Sequence, residues 1–197
     1  MFSGKLLQLQ QNLKNLPGIG EKTAQRLALF ILSQNKEKSY QLADSIKIAV
    51  DSYTNCSTCN MLNETDPCPI CKDPTRDESL LCIVESTRDV YHIESTQEYH
   101  GYYYVLGKLL SPVDGIGPKQ LGLEKLKALV QDKCFKEIIF AISPSTEGES
   151  TIHFIAEYLQ DISICLTRLS TGIPYGSDME YTGTVTLMNA LKRRFPI

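Results

Sequence analysis

Four of the chain's seven cysteines fall within one 16-residue window, as Cys56-x2-Cys59-x8-Cys68-x2-Cys71. No other feature restricts the fold as tightly. A CxxC knuckle turns two thiolates toward one point, and two knuckles joined by a short connection bring four together. Four thiolates suit a tetrahedral Zn²⁺ ion and leave no coordination position open, so the spacing predicts one structural zinc ion and not a catalytic one. The connecting residues, NMLNETDP, are polar and too few for a core of their own. Metal binding would therefore supply the folding energy of this segment. The other use of a CxxC, a redox pair, calls for a single pair beside a thioredoxin-like unit, whereas here two pairs flank one turn. Cys82, Cys134 and Cys165 lie in apolar runs and read as core residues. An odd cysteine count argues against a disulfide framework.

The window also divides the chain. Before it, residues 5–15 have helical spacing, and Glu21 to Leu32 reads as an amphipathic helix with Ala24, Leu27, Ala28 and Ile31 on one face. Ser39 is placed to cap a third helix over 40–53, with Leu42, Ile46, Ala49, Val50 and Tyr53 inward. After it, strand-like runs at 80–84, 102–106, 137–142 and 162–169 alternate with helix-like segments at 87–94, 118–131 and 148–159, and a last helix is expected over 184–194. Such alternation predicts a mixed α/β fold with a mostly parallel sheet and helices on its faces. The expected parts are a helical unit over 1–55, the cysteine-bound insert over 56–78, and an α/β body over 79–170 continued by a C-terminal segment, 171–197. No run approaches the roughly 18 apolar residues needed to cross a bilayer, and the opening residues carry no small-residue cleavage site. A cytoplasmic protein with no membrane partner is expected.

Net charge is −3, which speaks against a uniformly basic nucleic-acid binder. Residues 1–55, however, hold seven Lys/Arg against four Asp/Glu, and the remainder thirteen against nineteen. The basic end contains LPGIG followed by EKTAQR. That order puts glycine-turn amides at a helix N-terminus, where the dipole and free N–H groups receive phosphate. Lys22 and Arg26 stand one turn apart and can flank the same backbone. The same residues also read as a plain turn between helices with a solvated face.

Past the run EIIFAI comes SPSTEGE, residues 143–149. An acid-rich turn after a buried strand is where metal-dependent phosphoryl chemistry is often built, yet two positions suited to paired aspartates are Ser143 and Ser145. A neutral hydroxyl is a poor ligand for a hard dication. YHGYYYVLG reads as a strand with alternating buried rings or, less simply, as a base-stacking surface. No GxxxxGK[ST] occurs, so ATP hydrolysis is not supported.

LPGIGEKTAQRLA, CSTC…CPIC, RDESLLCIVESTRDVYHIE, GYYYVLGKLLSPVDGIGPKQLG and TRLSTGIPYGSDMEYTGTVTL together resemble, in order and over nearly the whole chain, the bacterial recombination mediator family RecR. The resemblance implies a helix-hairpin-helix domain, a four-cysteine zinc finger, a Toprim domain and a C-terminal segment with oligomer contacts. It implies a non-catalytic, DNA-binding role in recombinational repair, exercised as a homo-oligomer, a dimer or a tetrameric ring, with RecO and RecF. DNA contacts are then expected at Gly18, Gly20, Lys22, Thr23 and Arg26. Glu85, Glu147 and Glu149 are expected on an acidic Toprim face open to a partner. Toprim enzymes use a glutamate and a D-x-D pair to hold Mg²⁺. Here Glu85 takes the glutamate's place and the pair is serine, so the alternative is a Mg²⁺-dependent nicking enzyme built on Glu85, Glu147 and Glu149. The chain departs from the family at Tyr104, where histidine is common, and at Gly183, where an acid is common.

Overall fold

The computed structural model describes residues 4–170 and 172–194, so residues 1–3 and the ends of the expected C-terminal segment, residue 171 and residues 195–197, lie outside the described residues. The chain forms two compact units, 1–53 and 54–197. In the first, α1 (Lys5–Lys14) and α2 (Glu21–Ser33) are joined by the glycine turn, and α3 (Lys36–Ser52) follows. Ala24 and Ala28, one turn apart, are fully buried, and their small side chains let α2 lie close against its neighbour.

The third helix departs from expectation twice. Asn35, not Ser39, is its N-cap and accepts from the Glu37 amide at 3.0 Å, while the Ser39 hydroxyl donates to the Ile31 carbonyl at 2.6 Å. The expected inward stripe is exposed: Ile46 is 57% and Val50 72% accessible, and no residue of α3 is buried. An apolar stripe in the sequence does not specify what covers it.

The second unit is built on a parallel sheet of order β4-β3-β5-β6, with β3 Asp77–Val84, β4 Gly101–Val105, β5 Glu137–Ala141 and β6 Cys165–Arg168. Helix α5 (Thr87–Glu94) links β3 to β4, α6 (Leu123–Asp132) precedes β5, and α7 (Thr146–Tyr158) leads to β6. The connections from β3 to β4 and from β4 to β5 travel in opposite directions across the sheet, so right-handed crossovers put their helices on opposite faces. Alternate strand residues divide accordingly. Leu81, Ile83, Tyr102 and Tyr104 pack with Leu126 and Ile155 on the α6–α7 face, while Cys82, Val84, Tyr103 and Val105 pack with Val90 of α5 on the other. The tyrosine run is thus a strand with its rings buried alternately on two sides. The helix expected over 118–131 is split: a 3-10 turn at Pro118–Leu121 meets Gly122, whose φ of 58° is left-handed, before α6 begins. The last strand is shorter than expected because residues 159–164 form the turn that enters it. A short 3-10 turn at Met179–Tyr181 precedes α8 (Thr184–Lys192).

The cysteine insert is not a freestanding module. Its ribbon, β1 (Thr54–Asn55) against β2 (Leu62–Asn63), and the one-turn α4 (Pro69–Lys72) present Cys56, Cys59, Met61 and Cys68 to the same core as Cys82 and Val105. Val105 N–H donates to the Cys59 carbonyl at 2.8 Å, and Asn60 Nδ2 donates to the Val105 carbonyl at 2.7 Å. The knuckle therefore covers part of the open edge that β4 would otherwise present. Cys82 is core as expected, but Cys134 and Cys165 are exposed. Both lie at strand entrances, where apolar neighbours in sequence do not imply burial. No helix among the described residues is long and apolar enough to cross a membrane.

Candidate nucleic-acid interface and metal centre

The turn between α1 and α2 is closed by Ile19 N–H donating to the Leu16 carbonyl at 3.1 Å, with Gly18 at φ 78°. An L side chain is strained at that φ, and glycine is not. Gly20, extended at φ −81°, is the N-cap of α2 and has no side chain to offer its first-turn amides. Those donors have no side-chain cap and lie at the positive end of a 13-residue helix. Lys22 and Arg26 are exposed on the following turns, and neither has an ion pair among the described residues; Thr23 is half-buried. Glu21 is engaged by Lys14 at 3.4 Å, which partly offsets the one acid beside the turn. Gly18, Gly20, Lys22 and Arg26 are thus brought to one exposed turn, and the geometry offers backbone and side-chain donors to a phosphate without reading a base.

The four cysteine sulfurs lie within 4.8 Å of one another. Cys56 Sγ is 3.9 Å from Cys71 Sγ, and Cys59 Sγ is 3.6 Å from Cys68 Sγ. Ligands 2.3 Å from a tetrahedral zinc are about 3.8 Å apart, so these spacings bracket the edge of that tetrahedron. Without a cation the sulfurs must share protons. Hydrogen bonds from Cys59 and Cys71 pull the Cys68 thiol down, and the bond to Cys68 together with burial pushes Cys59 up. Cys71 is pushed up by its bonds to Cys59 and Cys68. Four thiolates can coexist there only around a positive ion, and the cluster could hold one metal. Among the described residues it is the one group of three or more Cys, His, Asp or Glu arranged to do so.

A third place is the crevice outside the carboxyl ends of β3 and β5, where the strand order reverses and α/β sheets hold ligands. Glu85 follows β3 there, and the loop 142–145 follows β5. Ser145 caps α7: its Oγ accepts from the Gly148 amide at 3.0 Å. A Cβ on Gly148 would overlap the Ser143 carbonyl, so the first turn of α7 presses directly on this loop. Glu149 does not face a metal position; it receives two bonds from Arg168, at 2.9 and 2.8 Å. Glu147 is exposed, and Glu85 is half-buried, its carbonyl accepting from Gly107 N–H at 2.8 Å. A crevice of about 620 Å³ between this loop and the C-terminal segment is lined by Ser143, Pro144, Leu169, Tyr181 and Thr186 among others, none of them charged. The three glutamates form no cluster of metal-ligand geometry among the described residues.

One network escaped the sequence reading. Arg76, at the end of the insert, makes a two-pronged bond to Glu94 of α5 at 2.8 and 2.6 Å, and Tyr103 Oη donates to the same carboxylate at 2.7 Å. It ties insert, helix and sheet together. Nothing in the spacing of residues 76, 94 and 103 signals the contact, because the three meet only once the sheet has formed.

These features define a class: a helix-hairpin-helix unit followed by a four-cysteine knuckle built onto a Toprim-type parallel sheet. Residues 6–50 match the RecR helix-hairpin-helix family and residues 79–170 the Toprim domain family. The chain is 44% identical to the recombination protein RecR of Gloeothece citriformis over 194 residues, covering 98% of this chain and 97% of the relative. It is 42% identical to the recombination protein RecR of Gloeobacter violaceus, over 98% of each chain, and 42% identical to that of Heliobacterium modesticaldum, over 95% and 94%. The chain belongs to the RecR family.

Proposed function

We propose that this protein is a non-catalytic, DNA-binding mediator of recombinational DNA repair that works in the cytoplasm as a ring-like homo-oligomer with RecO and RecF. The observation that carries the reading is the α1–α2 turn. Uncapped amides of α2, the glycines at 18 and 20, and the exposed Lys22 and Arg26 make a phosphate-backbone contact, with Thr23 beside them. One such contact is weak. Repetition around an oligomer multiplies it, which lets a chain of net charge −3 hold DNA. Self-association is supported by α3, whose apolar stripe is exposed in the single chain, and by the exposed side chains of Tyr175, Met179 and Tyr181 in the C-terminal segment.

One structural Zn²⁺ held by Cys56, Cys59, Cys68 and Cys71 is supported by the sulfur spacings and the all-thiolate donor set. It would lock the knuckle against β4. Glu85 and Glu147 remain open to a basic partner surface, RecO being the candidate; Glu149 would have to exchange Arg168 for that partner. The Toprim crevice is read as scaffold. Ser145 supplies a helix cap, Glu149 is paired with Arg168, and the crevice between the 142–145 loop and the C-terminal segment has an uncharged lining.

The test is incubation of the purified protein with supercoiled plasmid and Mg²⁺ or Mn²⁺, resolved beside a gel shift of the same DNA. Retarded but intact plasmid is expected. Nicking that disappears in Glu85→Ala would establish the enzyme instead.

A further inference from the structure

The four sulfurs of the knuckle are not equally sheltered. Cys56, Cys59 and Cys68 are at most 1% exposed, whereas Cys71 is only partly buried. Cys71 sits on the one-turn helix Pro69–Lys72, which has no buried residue, and Lys72 follows it. Cys56 Sγ lies 3.9 Å away and is held in place by the Cys68 amide, which donates to it at 3.3 Å. A thiolate reacts where it is both ionised and reachable. A metal-bound thiolate is ionised, so access decides among the four.

We propose that Cys71 is a peroxide-oxidation site and that the knuckle is a redox-releasable zinc site, with Cys56 as the resolving thiol. This rests on the zinc reading above. The Cys71 thiolate attacks one oxygen of hydrogen peroxide; an S–O bond forms, the O–O bond breaks, and hydroxide leaves. The Cys56 thiolate then attacks the Cys71 sulfur; an S–S bond forms, the S–O bond breaks, and a second hydroxide leaves. Two thiolates are oxidised by two electrons, and one peroxide is reduced to two hydroxides, which take up protons to become water. With two of four ligands lost, the site no longer holds its ion. The consequence reaches the sheet, because the Cys59 carbonyl that receives Val105 N–H belongs to the same knuckle.

The experiment uses full-length protein in which Cys134→Ser and Cys165→Ser remove the two exposed thiols, zinc being counted before peroxide is added. Release is followed with a chromophoric chelator, disulfides are mapped by mass spectrometry, and hydrogen exchange is read at Val105. The expected result is loss of the bound ion in step with a Cys56–Cys71 disulfide, faster exchange at Val105, and reversal by dithiothreitol with added zinc. Zinc retained under peroxide, or released with a disulfide that omits Cys71, would overturn the proposal while leaving the zinc site standing. Protein that binds no zinc beforehand would overturn the zinc reading, and this one with it.

Discussion

Ser145 shows how one residue can look like a lost function and have a present one. In the sequence it stands where a metal-binding acid would be. In the fold its hydroxyl caps the first turn of α7, and Ser143 offers its carbonyl to the Ser145 amide at 2.8 Å. Replacing Ser145 with alanine leaves the Gly148 amide without that partner and is expected to cost about 1 kcal/mol, read as a lowered midpoint in urea unfolding. Gly148→Ala is expected to cost more, because its new Cβ meets backbone that cannot swing aside as a side chain would. If Gly148→Ala is as stable as the parent, the packing of α7 on the 143 loop is misdescribed. At the cysteine cluster, ligation requires deprotonated thiols, so the proposed zinc ion is expected to stay bound at neutral pH and to be lost on acidification as protons compete for sulfur. Metal content measured across a pH series checks this, and a content that rises toward low pH would contradict it.

Among the elements, the strands were the most legible: YYYVL and the end of LLCIV are buried on both faces, and EIIFAI is buried on one face and half-buried on the other, so each reads as a short, mainly apolar run. Their alternation with helices was enough for a parallel sheet. The knuckle was legible from spacing alone, since ligand geometry depends on local sequence. Its packing onto β4 was not, and neither was the clamp of Arg76, Glu94 and Tyr103, whose members are far apart in sequence. That clamp has a pH signature. The hydrogen bonds from Arg76 hold the Glu94 carboxyl below its ordinary value, so its contribution is complete above that ordinary value and is lost as pH falls through the lowered folded one. Glu94→Gln is expected to destabilise the protein by about 2 kcal/mol at pH 7 and to flatten the acid limb of its stability profile below about pH 5. Thermal melts at stepped pH measure both. An acid limb unchanged by the substitution would mean the clamp carries little.

At the scale of the whole molecule, the exposed stripe of α3 is the clearest gap between sequence and single chain. Hydrophobic periodicity shows that a face is to be covered, and only an assembly shows by what. Light scattering is expected to give a mass well above the 22.1 kDa of one chain, and Ile46→Asp with Val50→Asp to lower it. The charge asymmetry belongs to this scale too. Several copies acting together, on the proposed function, let a chain with a basic N-terminal unit and an acidic remainder hold DNA. On the proposed function, these copies grip the phosphate backbone through the glycine turn of α2. That grip is tested most directly by the salt dependence of DNA affinity, measured by fluorescence anisotropy for the parent, Lys22→Ala and Arg26→Ala at matched oligomeric state. The expected result is weaker binding in both variants at every sequence tried, with a salt slope shallower by about one for each phosphate contact removed. Affinity and slope identical to the parent in both variants would contradict the account.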